Sequence, residues 1–148
     1  ILRGLSLREQ QSLPLRWFAE EVPPRQVFRE DEVEVLAPHL ATALQKVGPE
    51  ERVQFEVFAP GMNPRYRRDV TGGWLAVREH YLHITMDYFH TQQPVEKSDA
   101  YDYNYPTPWT SPNIYLLYFE PGRFYLTDPK THSRAVDYRE FLKTLPPP

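Results

Sequence analysis

The spacing of proline constrains more than any other feature how this chain can fold. Sixteen prolines are distributed along 148 residues, and most of them separate one apolar segment from the next. Proline has no backbone N–H to donate, and inside a helix its ring clashes with the carbonyl group four residues earlier. We therefore predict short helices and strands connected by frequent turns, with no long uninterrupted helix.

The composition indicates a folded domain rather than a disordered chain. Hydrophobic residues make up 41% of the chain and charged residues 25%, whereas disordered chains combine few large apolar residues with high net charge. We predict one domain over residues 1–148. Residues 1–30 are predicted to form an N-terminal arm that docks on the core through Trp17 and Phe18, because these rings are costly to leave in water.

One segment has the apolar periodicity of a main helix, which we predict over residues 31–47. Its apolar residues recur at intervals of three and four and share one helical face: Val33, Leu36, Leu40, Ala43, Leu44 and Val47. Asp31 and Glu34 have the spacing of a capping box, and Gly48 follows the last turn as a stop. Pro38 lies inside the segment and predicts a kink or a restart of the helix.

Alternating apolar and polar residues predict strands elsewhere. The predicted strands cover residues 52–59, 74–78, 82–88, 114–119 and 124–127. The second and third are joined near Glu79 and His80, and the last two form a hairpin around Pro121 and Gly122, which suit a tight turn. Residues 137–145 have helical spacing and precede three prolines, which predicts a short C-terminal helix.

These elements define the predicted fold class. In α+β proteins the helices lie on one face or at one end of an antiparallel sheet, and the order of elements here fits that arrangement. We therefore predict an α+β single domain with an antiparallel sheet of about four to six strands, one main helix at 31–47 and a short C-terminal helix.

The residues argue against the common kinds of catalytic centre. The chain has no cysteine, so thiol nucleophiles, disulfides and Cys-ligated metal centres are excluded. It also lacks the local motifs of α/β-hydrolases, phosphate-binding loops, dinucleotide-binding folds and zincin metalloproteases. Asp128, His132 and Ser133 are close in sequence, but such neighbours rarely converge with the geometry of a catalytic triad. We favour a non-catalytic protein over an enzyme and predict no cofactor.

A histidine-rich segment offers one alternative function. His80, His83, Asp87 and His90 would share one stripe if the segment were a helix, and imidazole with carboxylate ligands suits zinc or another divalent metal. The alternation of the surrounding residues instead predicts a strand, on which His83 and Asp87 would share one face and the other two would point away. A metal-binding protein or metal-dependent enzyme is therefore an alternative and not the preferred interpretation.

A long aromatic loop offers the other alternative. Residues 91–112 are polar and rich in proline, and a loop of this length usually has a function. Flat rings with polar groups between them suit the binding of carbohydrate or peptide. The candidate ligand- or partner-binding residues are Tyr101, Asp102, Tyr103, Asn104, Tyr105 and Trp109.

A local group of arginines stands out against the overall charge. Arg65, Arg67 and Arg68 surround Tyr66, and arginine with an interleaved aromatic ring can bind phosphate groups. The net charge of −3 supplies no general attraction to nucleic acid. We therefore expect a loop of solvated arginines and no nucleic-acid partner.

These observations together favour an interaction module of the bacterial cell envelope, with a protein or glycan of the envelope as its partner. The longest apolar runs, such as residues 114–119, are far shorter than the about 20 residues that span a bilayer. The chain starts at Ile1 and not at a methionine, which leaves open whether a signal peptide or a lipid-bearing cysteine, as in a lipoprotein, precedes it. We expect a periplasmic or other extracytoplasmic location, with the cytoplasm as the alternative.

Overall fold

The computed structural model describes residues 1–9, 23–95 and 115–148. Within these residues there are two α-helices and eight strands. The helices are α1 (Glu30–Lys46) and α2 (Tyr138–Lys143). The strands are β1 (Leu5–Glu9), β2 (Arg25–Gln26), β3 (Val53–Pro60), β4 (Arg67–Arg78), β5 (Tyr81–Pro94), β6 (Tyr115–Phe119), β7 (Tyr125–Thr127) and β8 (Arg134–Asp137).

The strands form two antiparallel sheets, which confirms the predicted α+β fold class. One sheet has five strands in the order β3-β4-β5-β8-β7, within the predicted range of strand number. The other sheet has three strands in the order β2-β1-β6 and was not predicted. The main helix and the short C-terminal helix are both present at the predicted places.

The described residues group into two compact units. The first unit contains residues 1–9, 23–53, 75–84 and 115–148, and the second contains residues 54–74 and 85–95. Both helices and the whole three-stranded sheet belong to the first unit. The single domain over residues 1–148 stays a prediction.

The N-cap of helix α1 lies two residues before the predicted one, Asp31. The N-cap is Arg29, whose backbone N–H donates to Glu32 Oε2 over 2.8 Å, so the predicted pairing of Asp31 with Glu34 is wrong. Asp31 instead lies in the first turn, where the helix dipole favours negative charge. The helix continues through Pro38, and the predicted restart does not occur.

Strand β1 is the central strand of the three-stranded sheet and supplies part of the core of the first unit. Leu5 lies opposite Phe119, and Leu7 lies opposite Leu117 on β6. The side chains of β1 alternate between buried and half-buried positions, as the two faces of a strand require. Trp17 and Phe18, through which the arm was predicted to dock, lie outside the described residues.

The predicted hairpin of residues 114–119 and 124–127 is wrong. Strand β6 pairs with β1 in one sheet, and β7 pairs with β8 in the other. A 3₁₀ turn over Gly122–Phe124 follows Pro121, so the turn signal was correct and the pairing was not. Phe141 of α2 packs edge-on against Phe119 and Phe124, with ring centroids 5.3 and 5.6 Å away.

The predicted turn at Glu79 and His80 is confirmed, and it joins β4 to β5. Glu79 has a left-handed backbone with φ of 57°, although it is not one of the residues that favour this conformation. Its carbonyl oxygen accepts from the Tyr138 hydroxyl at 3.3 Å, and the His80 carbonyl oxygen accepts from Tyr138 N at 3.2 Å. The start of α2 therefore braces this turn.

The second unit is built on long strands that lie close together. A Cβ atom added at Gly73 would lie 1.9 Å from the carbonyl oxygen of Thr85 on β5. Only a residue without a side chain allows the two backbones to approach in this way. Phe55, Val70, Met86 and Phe89 are buried in this unit.

We expect Leu7→Ala to destabilise the protein strongly, because Leu7 is 1% exposed on the central strand. Loss of a buried leucine side chain costs about 2–5 kcal/mol. Urea unfolding followed by circular dichroism would measure it. Leu126→Ala, at a residue 42% exposed, is the control and should be near neutral; equal losses from the two variants would contradict the burial of β1.

Candidate functional site

The histidines of the predicted metal cluster each have a separate carboxylate partner. In the first unit, His80 Nε2 lies 3.7 Å from Asp137 Oδ2, and His83 Nε2 lies 2.9 Å from Asp128 Oδ2. Asp137 is also the N-cap of α2, where it accepts from Glu140 N at 3.1 Å. These two histidines are therefore held in different side-chain pairs.

The other two members of the predicted cluster lie in the second unit. His90 Nδ1 lies 2.8 Å from Asp69 Oδ2, and Asp87 is half-buried on β5. Across residues 1–9, 23–95 and 115–148, no group of three or more histidine, aspartate or glutamate side chains is placed to hold a metal ion. The predicted binding residues of the aromatic loop, from 101 to 109, lie outside the described residues.

A buried hydrogen-bonded network is centred on His83. Its Nε2 contacts Asp128 Oδ2 at 2.9 Å, and its Nδ1 contacts Ser133 Oγ at 3.2 Å. His83 and Asp128 are buried, whereas Ser133 is exposed. A carboxylate can only accept hydrogen bonds, so Nε2 donates to Asp128, and Nδ1 of the neutral ring accepts from the Ser133 hydroxyl. Asp128 thus fixes the tautomer of the ring.

The loop between β7 and β8 positions the two partners of His83. Asp128 N donates to the Ser133 carbonyl oxygen at 2.8 Å, and Lys130 N donates to Asp128 Oδ1 at 2.8 Å. Ser133 Oγ also contacts Thr131 Oγ1 at 2.7 Å. The loop therefore closes on itself, and His83 from β5 joins both of its ends.

The order of contacts in this network matches the serine, base and carboxylate of a nucleophilic relay, with the two ring nitrogens exchanged. His132, which is close to Asp128 and Ser133 in sequence, is exposed, and the ring between these two residues is His83. The Ser133 hydroxyl is already engaged by Thr131, and Asp128 is engaged by Lys130. We interpret the network as structural, and we call it the lock because it holds the β7–β8 loop in one conformation.

We expect His83→Leu to lower the free energy of unfolding by about 1–3 kcal/mol, because it leaves buried polar atoms of the network without a partner. Thermal unfolding monitored by circular dichroism would measure the loss. His39→Ala on the exposed side of α1 is the control and should unfold as the native chain does. An unchanged melting temperature for His83→Leu would contradict the lock.

Acid should weaken the same lock. The backbone N–H of Lys130, aided by His83 and opposed by burial, lowers the pKa of Asp128 from its ordinary value of 3.8. A carboxyl group with a lowered pKa in the folded state adds stability above its unfolded pKa, and this stability is lost as the pH falls through the folded pKa. Urea unfolding between about pH 2 and pH 7 should therefore show a shallower acid loss in Asp128→Asn than in the native chain; parallel curves would contradict this assignment.

The other candidate site is an apolar pocket of about 720 Å³ in the first unit. Helix α1, α2 and the residues before β1 form its walls, and Leu75 and Leu82 of the five-stranded sheet also line it. The remaining lining residues are Ile1, Leu2, Arg3, Gly4, Val33, Ala37, Leu40, Ala41, Leu44, Glu120, Pro121, Phe141, Leu142 and Leu145. Apolar side chains dominate this set.

Two alanines lie on the side of α1 that lines this pocket, and their small side chains leave space there. Ala37 and Ala41 are one helical turn apart and therefore lie on the same face, and both are exposed. Val33, Leu40 and Leu44 flank them on α1. The sequence revealed the apolar face of this helix. It gave no signal that small side chains leave part of that face uncovered.

An ion pair anchors the chain before β1 to the start of α1. Arg3 Nε donates to Glu30 Oε1 at 2.8 Å, and Gln26 Nε2 donates to the Arg3 carbonyl oxygen at 2.8 Å. Gly4 packs so closely that an added Cβ would lie 2.5 Å from the Glu120 carbonyl oxygen. These contacts fix the segment of residues 1–4 that lines the pocket.

No protein-family model, curated protein or solved structure matches this chain. Within its described ranges, none of its helices combines the length and the apolar character that a bilayer crossing requires.

Proposed function

We propose that this protein is a binding module that holds a small, largely apolar ligand in the pocket between α1, α2 and the residues before β1. The observation that carries the proposal is the pocket itself. Its volume of about 720 Å³ falls in the range of about 300–1,000 Å³ that small-molecule sites occupy. Binding without chemical turnover agrees with the lack of catalytic motifs in the sequence.

The lining residues support an apolar ligand. Such sites are built mainly from hydrophobic side chains, with a few polar groups that orient the ligand. Arg3 and Glu120 are the charged residues among those that line this pocket. Leu142 and Leu145 stay exposed at α2 and just beyond it, and a ligand in contact with them would remove their side chains from water.

We expect Ala41→Trp to weaken ligand binding at least about tenfold, because an indole ring at this position would occupy the pocket. The neutral fluorophore phenylnaphthylamine would serve as the probe, and its gain in fluorescence on titration would report binding. Ala41 is exposed, so the helix should fold with the larger side chain. Circular dichroism would check this.

His39→Trp is the matched control, because His39 is exposed on the same helix and does not line the pocket. It should bind the probe as the native chain does. Absence of a saturable gain with the native chain would overturn the proposal. So would equal binding by native chain and Ala41→Trp, because the probe would then bind elsewhere.

Carbohydrate or peptide binding by the aromatic loop remains a separate prediction from the sequence, with the candidate residues Tyr101, Asp102, Tyr103, Asn104, Tyr105 and Trp109. The envelope location and the lipoprotein character are also predictions. The pocket proposal depends on none of them.

A further inference from the structure

Apolar side chains are exposed at one end of the second unit, where a loop of residues 61–66 joins β3 to β4. Met62 in this loop is 92% exposed. Phe58 on β3, Tyr66 at the end of the loop and Val95 just after β5 are also exposed. We call Phe58, Met62, Tyr66 and Val95, together with Arg65 and Arg68, the tip surface.

The tip surface carries positive charge. Residues 57–68, between Glu56 and Asp69, contain three arginines and no acidic residue. Arg65 is exposed, whereas Arg67 and Arg68 are half-buried on β4. The Arg68 guanidinium lies over the Phe58 ring at 4.2 Å, and that of Arg65 lies over the Tyr66 ring at 5.5 Å. Each of these two aromatic rings is thus paired with a cationic group. Asp69, the next acidic residue along the chain, contacts His90.

The loop is held in one conformation by its own hydrogen bonds. The Asn63 carbonyl oxygen accepts from Tyr66 N at 3.0 Å and from Arg67 N at 2.8 Å. Met62 N donates to Gln92 Oε1 at 3.0 Å, and Val95 N donates to the Tyr66 carbonyl oxygen at 3.0 Å. Because the loop is already ordered, little conformational entropy would be lost when the tip surface makes a contact.

We propose that the tip surface docks on the headgroup region of an anionic lipid bilayer. Met62 would enter the boundary between headgroups and acyl chains, and Phe58 and Tyr66 would lie at headgroup level. Arg65 and Arg68, which lie beside these two rings, would face lipid phosphates. Exposed apolar residues bordered by basic residues are the combination that holds proteins at membrane surfaces. The contact is with the surface and requires no membrane-spanning helix.

The apolar part of the tip surface favours a bilayer over the other polyanions. Nucleic acid is bound through phosphate contacts and through rings that stack on bases, and an exposed methionine serves neither purpose. A bilayer takes up the methionine side chain and the arginine charges together. The charge complementarity and the exposed thioether therefore point to the same partner.

The test measures binding of the whole chain to vesicles by co-sedimentation. One set of vesicles is phosphatidylcholine alone, and the other contains about 30% phosphatidylglycerol, a composition chosen to resemble anionic bacterial membranes. The native chain should partition into the anionic vesicles and should be released as the salt concentration rises. Arg65→Glu should lower the partition coefficient more than about fivefold, the factor for loss of one basic residue.

Met62→Ser separates apolar insertion from charge attraction, because it removes the apolar side chain without changing the charge and should still lower binding to anionic vesicles at low salt. Leu126→Ser and Arg139→Glu are the matched controls, since both residues are exposed in the first unit. They should bind anionic vesicles as the native chain does. The exposure of all four residues keeps these substitutions outside the core, and the melting temperature of each variant would confirm folding.

Three results would overturn the proposal. The first is no binding of the native chain to anionic vesicles at low salt. The second is an equal loss of binding in the tip variants and in the controls, which would indicate attraction by overall charge. The third is binding of a single-stranded oligonucleotide that Arg65→Glu abolishes while vesicles are not bound, which would make the tip surface a nucleic-acid site.

Discussion

The pairing of β1 with β6 is the interaction on which the first unit depends. It joins a strand near the start of the described chain to a strand near its end, and it buries Leu5, Leu7 and Phe119 together. Leu5 and Leu7 reach the same face because alternate residues of a strand do so. The pairing also fixes residues 1–4, since Glu120 N donates to the Gly4 carbonyl oxygen at 2.9 Å. One wall of the apolar pocket therefore exists only because this long-range pairing does.

Features that depend on a few neighbouring residues could be predicted from the sequence. The apolar periodicity gave α1 to within one residue at each end, and the turn at Glu79 and His80 was placed correctly. The capping box was misplaced, because Asp31 can stabilise the first turn by its charge without being the N-cap. Pro38 removes one backbone hydrogen bond, yet the segment continues to Lys46 as one helix of 17 residues.

The pairing of strands that are distant in the chain could not be predicted. Pro121 and Gly122 correctly indicated a turn, but a turn does not decide whether the flanking strands pair with each other. Strand β6 pairs with β1 because Phe119 is buried opposite Leu5, and nothing within residues 114–127 encodes that partner. The His83 network could not be predicted from the sequence for the same reason. The ring that joins Asp128 to Ser133 comes from a strand about 45 residues earlier in the chain. A contact over such a separation leaves no local pattern.

Because of the two alanines of α1, the size of the pocket can change with little effect on the stability of the fold. Val33 and Leu40 of this helix are buried in the core, whereas Ala37 and Ala41 are exposed. The two alanine side chains therefore shape the pocket and contribute little packing energy. Surface positions of this kind accept most substitutions at a cost of about 0.5 kcal/mol or less. Larger side chains at these two helical positions can therefore narrow or divide the pocket while the sheets stay unchanged, so the shape of the pocket is free to vary without loss of the fold.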